Sequence, residues 1–406
     1  MTDPKTIADP KVQEFIVSHE DTDLSVLLLS GKSVAAIPTS ELVDQIRSRN
    51  KACKKLPQWY EATGIVYPPP LSLEQASSEE TAAYKAEILA SKGDRLLDLT
   101  GGMGIDSSYF ARRFQAVTYV EQQEFLVSCF RHNCSRLGID NCHIVAGDGV
   151  AYLKELPDDQ YEVIYLDPAR RDAEKKKVFA LDQCEPDVSV IWEELLAKTP
   201  TVMVKLSPML DITHTIASLQ HVAEVHVVAV DNECKELLVL LERDFVGETI
   251  IRTINLHADQ SQVFEFCRSE ERDAVVGFGA EGKFLYEPNV AVLKAGAFKT
   301  MASRYQLAKM HEHTHLYLSD ELIQDFPGRI YQVVRQFGAS KKMIKANLKG
   351  MKVSIKSRNY PESVALLRKK YQLHDGDDRS VFFCTVKTAQ QKEQKMVFEC
   401  VKATIN

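Results

Sequence analysis

Apolar residues return at three- and four-residue spacing through residues 1–67, as in Pro10-Lys-Val-Gln-Glu-Phe-Ile-Val17 and Glu41-Leu-Val-Asp-Gln-Ile-Arg47, which predicts helices. Trp59 and Tyr60 fall in this region, where core packing suits them better than a ligand platform. Pro68-Pro-Pro70 breaks the pattern. Ser77-Ser-Glu-Glu80 reads as a capping box with Ser77 as N-cap, opening a helix from Thr81 to about Ala90. The texture then changes to short apolar runs alternating with helical periodicity. Strands are expected at Leu96–Leu99, Val117–Glu121, Cys142–Ala146, Tyr161–Asp167, Thr201–Leu206, Glu224–Val230 and Glu236–Glu242. Helices are expected at about 107–113, 125–137, 150–156, 188–197 and 211–220. Only five residues join the last two strands, too few for a helical crossover, so that pair is antiparallel. The fold class is therefore α/β: a doubly wound, mostly parallel seven-stranded sheet with an antiparallel last strand.

The remainder is patterned differently. Residues 246–325 hold strand-like segments at Thr249–Leu256 and Ala274–Phe278 and a helix around Pro288–Leu293. Residues 326–406 alternate short strands (329–336, 352–357, near 380–387 and 395–401) with helices at 340–348 and 361–371. Four regions follow: an N-terminal helical region, 1–70; the α/β domain, 71–245; a small α+β domain, 246–325, for which a ferredoxin-like arrangement is one option; and a basic α+β domain, 326–406.

Charge sharpens this division. The net charge of −7 is uneven, at −4 over residues 1–80, −10 over 81–245 and +7 over 246–406. A basic third on an acidic body points to a polyanionic partner. From Arg329 to Lys370 there are twelve Lys/Arg and one acidic residue, Glu362. Lys341, Lys342, Lys345, Lys349, Arg358, Arg368, Lys369 and Lys370 are the candidate phosphate contacts. No apolar run approaches the ~20 residues of a membrane span, and the N-terminus lacks the layout of a signal peptide. The nine cysteines are scattered without metal-like spacing, which fits reduced thiols in a cytoplasmic protein. His311-Glu-His-Thr-His315 is alternating histidine in a polar stretch, so no metal site is expected.

The chemistry concentrates on Leu96-Leu-Asp-Leu-Thr-Gly-Gly-Met-Gly-Ile-Asp106, a strand, a glycine-rich turn and a helix N-terminus. Gly102 and Gly104 let a ligand approach the backbone. The glycine spacing does not fit Gly-x-Gly-x-x-Gly, and the lysine of a phosphate-binding loop is missing, which argues against a dinucleotide or nucleotide phosphate and makes a dehydrogenase the weakest reading. S-adenosylmethionine, which has no phosphate, fits better. Asp98 ends the first strand, Glu121 ends the second 23 residues later, Asp148 follows the third and Asp167 ends the fourth. Acidic residues at successive strand ends lie where such sheets bind ligands. Glu121 can accept the ribose hydroxyls, and Asp148 can reach the adenine amino group.

Asp98-Leu-Thr-Gly-Gly-Met-Gly-Ile-Asp106 resembles the first motif of class I S-adenosylmethionine-dependent methyltransferases, with Thr100 where a glycine is usual. That variant is similar to the motif of bacterial small-subunit rRNA guanine-N2 methyltransferases. The resemblance covers roughly 71–245 and implies S-adenosylmethionine as cofactor, with Asp98, Thr100, Gly102, Gly104, Asp106, Glu121, Asp148 and Gly149 around it. Tyr165-Leu-Asp-Pro-Ala-Arg-Arg171 stands where the resembling enzymes carry Asp/Asn-Pro-Pro-aromatic or Asp-Pro-Pro-Arg. Ala169 and Arg170 replace the usual proline and ring, so Arg170 and Arg171 are candidates for gripping a phosphate instead of stacking on a base. Asp167, Pro168, Arg170 and Lys205 are the candidate acceptor-side residues; Cys184 has no motif that would make it a nucleophile. The basic segment, through Asp375-Gly-Asp-Asp378 and Val381-Phe-Phe383, resembles the THUMP-like domain, and that resemblance implies RNA as partner. The expected activity is methylation of a base of structured RNA, rRNA or tRNA. The alternatives are a small-molecule or protein methyltransferase, and an RNA-binding protein whose methyltransferase domain has lost catalysis.

Overall fold

A computed structural model describes residues 2–31, 33–170, 181–388 and 390–404. By backbone contacts the chain divides into two units, Met1–Ala223 with Leu237–Gly247, and Glu224–Glu236 with Glu248–Asn406. The division runs through a hairpin, and residues 1–70 belong to the same unit as the strands that follow them.

In the first unit, parallel strands β1 (Arg95–Asp98), β2 (Ala116–Glu121), β3 (Cys142–Ala146), β4 (Val163–Leu166) and β5 (Thr201–Leu206) are separated by helices. Strand β6 (Val222–Val230) turns through Asp231 and Asn232, both in the left-handed region, into β7 (Glu233–Glu242), which lies antiparallel to β5. β8 (Ile250–Leu256) then runs parallel to β6, and β9 (Gln262–Cys267) antiparallel to β8; both, like most of β6, belong to the second unit. The strand order is β9-β8-β6-β7-β5-β4-β1-β2-β3, nine strands rather than the expected seven. The seven expected strands are present, including the antiparallel one. The two added strands lie beyond the stretch whose strand–helix alternation was readable. β5 is buried end to end and β7 from Glu236 to Leu241, as strands covered on both faces are.

The N-terminal helices build on the outside of helix Glu124–Leu137. Ile7, Val12, Ile16, Leu27, Leu42, Ile46 and Val66 form one core with Cys129 of that helix. The Asn133 side chain accepts from the Val66 N–H and donates to the Val66 carbonyl, both at 2.9 Å. Trp59 is fully buried, as packing predicts. The cap expected at Ser77 falls one residue later: Ser78, whose hydroxyl accepts the Thr81 N–H at 3.3 Å, is the N-cap of helix Glu79–Leu89, which starts two residues before the expected Thr81. The Ser77 hydroxyl instead accepts from Lys85 Nζ at 3.0 Å and donates to Asp106 at 2.8 Å.

The second unit holds a second sheet. Its strands are β10 (Phe284–Pro288), β11 (Ala308–His311), β12 (Thr314–Ser319), β13 (Gly328–Gly338), β14 (Ser354–Arg358), β15 (Ser380–Lys387) and β16 (Glu393–Lys402), in the order β11-β12-β10-β13-β16-β15-β14. The position 325/326 therefore falls between strands of one continuous sheet, joined where β10 pairs with β13. Alternate residues of β15 serve two cores. Val381 and Phe383 pack with Ile344, Leu348, Leu367 and Tyr371 of helices Lys341–Leu348 and Val364–Tyr371. Phe382, Cys384 and Val386 pack with Leu285, Met310, Leu316 and Leu318. The strand expected at 274–278 is not formed; helix Arg268–Asp273 precedes it, and only Phe278 makes a β-bridge.

Candidate active site at the carboxyl ends of the strands

Asp98, the last residue of β1, is 1% exposed. Its Oδ1 accepts the Thr100 N–H at 3.0 Å and its Oδ2 accepts the Ser107 hydroxyl at 2.5 Å. The carboxylate thus ties the start of the turn to the helix that follows, Ile105–Phe110. Burial pushes its pKa up to about 7, against the lowering effect of those two hydrogen bonds.

The turn itself is pinned on three sides. The Gly101 N–H donates to the Val120 carbonyl at 2.8 Å. The Gly102 N–H donates to Oε2 of Glu121 at 2.9 Å, and the Gly102 carbonyl accepts the Tyr119 hydroxyl at 2.6 Å. Gly104 sits at φ +86°, and a Cβ there would lie 2.1 Å from the Phe130 ring. Gly102 is different: its φ is +54°, yet among the described residues a Cβ would meet nothing nearer than the Thr100 carbonyl oxygen at 3.8 Å. Gly104 is required by packing inside the protein. Among the described residues, Gly102 is required by backbone conformation alone and leaves open space over its Cα.

Glu121, the last residue of β2, also accepts the Gln123 N–H, at 2.8 Å through Oε1. Asp148 follows β3 as the N-cap of helix Gly149–Glu155, where its Oδ1 accepts the Ala151 N–H at 2.8 Å. Asp148 is exposed, and Gly149 opens the helix directly behind it.

Asp106 takes a place that sequence spacing does not reveal. Its carboxylate accepts the hydroxyls of Ser77 and Tyr165, each at 2.8 Å, and Lys85 Nζ lies 3.2 Å away. Burial acts to raise its pKa, but the charges of Lys85 and Lys205, with the Tyr165 and Ser77 hydrogen bonds, outweigh it and hold the group below its ordinary value. Lys85 is fully buried. It lies on the same helical stripe as Thr81, Ala82, Ala86 and Leu89, so its burial was readable from spacing while its partner was not. Ser77, Lys85, Ser107, Tyr119 and Tyr165 are site-supporting residues that the motifs alone do not announce.

On the next strand, the Asp167 N–H donates to Thr100 Oγ1 at 2.6 Å. The Asp167 carboxylate contacts Lys205 Nζ, brought in from β5. Lys205 is 9% exposed while the Asp167 side chain is about a third exposed, so the pair presents the carboxylate outward. Pro168 is buried. Ala169–Arg170 pairs antiparallel with Cys184–Glu185. The side chain of Arg170, and Arg171 with the rest of 171–180, lie outside the described residues.

The eight basic residues of the second unit divide into two sets. Arg358 is drawn inward, donating at 2.8 Å to Glu287, which is 6% exposed and also pairs with Lys356. Arg368 pairs with Asp375, and Lys370 donates to Glu362 at 2.8 Å. Lys341, Lys342, Lys345, Lys349 and Lys369 are exposed, and no ion pair engages them among the described residues. Among the described residues no group of three or more His, Cys, Asp or Glu could hold a metal ion, and no helix is long and apolar enough to cross a membrane.

Three family models match parts of the chain. Residues 59–180 match protein-L-isoaspartate(D-aspartate) O-methyltransferase, 284–327 a ferredoxin-like domain, and 328–402 a THUMP domain-like model. Among solved structures, one described as a "putative methyltransferase from Porphyromonas gingivalis W83" is 32% identical over 100% of both chains, with a TM-score of 0.87. An rRNA methylase from Streptococcus thermophilus is 16% identical, spanning 39% of this chain and 94% of its own, with a TM-score of 0.31. An O-methyltransferase from Bacillus cereus in complex with SAH is 13% identical, spanning 44% and 93%, with a TM-score of 0.33. The last two scores are too low to bear on fold or activity. No curated protein matches. With full-length likeness to the Porphyromonas protein, a methyltransferase model over the strand-end loops and a THUMP-like model over the basic region, the chain belongs to the S-adenosylmethionine-dependent methyltransferases that carry a THUMP-like domain.

Proposed function

We propose that this protein transfers a methyl group from S-adenosylmethionine to a base of structured RNA. The observation that carries the reading is the open face of Gly102 beside Glu121, with Asp148 and Asp167 at the ends of the flanking strands. A cofactor lying over Gly102 would set its ribose hydroxyls against Glu121, whose two oxygens each hold one backbone N–H and keep further lone pairs. Asp148 spends Oδ1 on its helix and offers Oδ2 to the adenine amino group. Asp98, with both oxygens engaged and almost no exposure, acts by shaping the loop. Thr100 and Asp106 likewise serve the frame of the site through their internal hydrogen bonds.

The sulfonium cofactor supplies an already electrophilic methyl group, so the protein's task is to position the acceptor. Asp167 accepts an N–H of the base through the oxygen not held by Lys205, aligning the nitrogen lone pair, and takes up the proton the nitrogen releases. Lys205 holds that carboxylate in a fixed orientation. Support for RNA comes from the THUMP-like region and from Lys341, Lys342, Lys345, Lys349 and Lys369, whose exposed ammonium groups suit phosphates.

The test is incubation of the full chain with methyl-labelled S-adenosylmethionine and total RNA from a strain lacking the protein. Label in one RNA species is expected. Label in protein or small molecules, with none in RNA, would overturn the substrate assignment. Cofactor binding without transfer to any substrate would point to lost catalysis.

A further inference from the structure

The ladder between β1 and β4 ends at the Leu99 N–H, which donates to the Tyr165 carbonyl at 3.0 Å. The next rung is made by a side chain: the Asp167 N–H donates to Thr100 Oγ1 at 2.6 Å. Pro168 follows and has no N–H, so Asp167 supplies the last donor before the chain turns away. Thr100 is itself fixed through its own N–H to Asp98, which holds Ser107. One continuous set of hydrogen bonds therefore runs from the helix that begins beneath the glycine turn, through Asp98 and Thr100, to the backbone of Asp167. The other end of Asp167, its carboxylate, is held by Lys205.

We infer that Thr100 is a positioning residue for methyl transfer: its hydroxyl couples the conformation of the cofactor loop to the placement of Asp167. The inference rests on the reading that Asp167 faces the acceptor. Its physical basis is that Thr100 reaches the two halves of the site by different atoms. The backbone serves the loop, and Oγ1 serves Asp167. Removing the hydroxyl leaves the first link and cuts the second. The freed Asp167 N–H, half-buried, then lacks its partner, and the carboxylate is tethered only through a flexible lysine. Ordering of the glycine loop by a ligand passes to the Asp167 backbone through Oγ1.

The experiment compares the full-length wild type with Thr100→Ser, Thr100→Val and Thr100→Ala. Amide hydrogen exchange is followed in peptides covering 165–170, with and without S-adenosylhomocysteine, alongside its Kd and the rate of methyl transfer. In the wild type and Thr100→Ser, the ligand slows exchange at Asp167. In the two variants lacking the hydroxyl, exchange at Asp167 is fast with or without ligand, the Kd is unchanged, and transfer falls about a hundredfold, the cost of an ångström-scale misplacement. The inference is overturned if Thr100→Val and Thr100→Ala keep the wild-type transfer rate. It is also overturned if they lose ligand affinity in step with the rate, because Thr100 would then act on the cofactor. If wild-type protein labels no RNA, the substrate reading fails by itself, and the exchange comparison still decides the role of Thr100.

Discussion

Gly102 and Gly104 both have positive φ, yet substitution by alanine has different consequences at the two positions. An L-residue in the left-handed region costs roughly 1–2 kcal/mol. At Gly104 this adds to a Cβ placed 2.1 Å from the Phe130 ring, which forces repacking of a fully buried side chain. Overpacking of that kind costs about 1–3 kcal/mol, so Gly104→Ala is expected to lose about 2–5 kcal/mol in all. At Gly102 only the conformational cost applies, because the nearest atom to a new Cβ is 3.8 Å away. For a unit of this size, each kcal/mol lowers Tm by about 2–4 °C. Gly102→Ala should therefore melt only a few degrees below wild type, and Gly104→Ala markedly lower. The binding order is reversed. The new methyl group of Gly102→Ala projects into the space over the turn and should reduce affinity for S-adenosylhomocysteine by about tenfold or more. Scanning calorimetry and isothermal titration on the same preparations separate the two effects. Wild-type affinity in Gly102→Ala, with the modest melting shift present, would refute the placement of the cofactor over this turn.

Lys85→Met should destabilise the first unit by about 3 kcal/mol, because it leaves the Asp106 carboxylate buried without its cation, a loss visible in urea unfolding. Asp98 holds its proton more tightly in the fold, at about 7, than in the unfolded chain, where the ordinary value is 3.8. Its contribution is therefore fully present below about pH 4 and lost as pH rises through 7; Asp98→Asn should flatten the fall in Tm between about pH 4 and 7, as measured by calorimetry. Reversing Lys341, Lys342 and Lys345 to Glu should weaken RNA binding and lower the slope of log K against log salt by about 2–3, read from filter binding. Arg358→Ala should instead lower Tm, because it strips a partner from buried Glu287.

The sequence made the strand ends legible because each marked residue is local: one acid closes one apolar run. Asp98, Glu121, Asp148 and Asp167 needed only the position of their own strand. What it concealed is what depends on partners far along the chain. Ser77 and Ser78 are equivalent as caps by pattern, and the Ser77 bonds to Lys85 and Asp106 decide between them. Asp106 reads as part of the glycine loop but is occupied by Ser77, Lys85 and Tyr165. Thr100, an apparent departure from a glycine, is the acceptor for the Asp167 N–H. In the basic region, density of charge was visible, but not that Arg358, Arg368 and Lys370 are spent on Glu287, Asp375 and Glu362. β8 and β9 were missed as members of the first sheet because sheet membership is set by non-local pairing, which periodicity does not encode.

The central claim is that Gly102, Glu121 and Asp148 frame the cofactor while Asp167 stands at the acceptor. A crystal structure of the full chain with S-adenosylhomocysteine tests it most directly. The account predicts ligand density over Gly102, with the ribose hydroxyls on Glu121, the adenine amino group at Asp148 and the sulfur directed toward Asp167. Density on any other surface, or a ligand at this turn whose sulfur points away from Asp167, would contradict it.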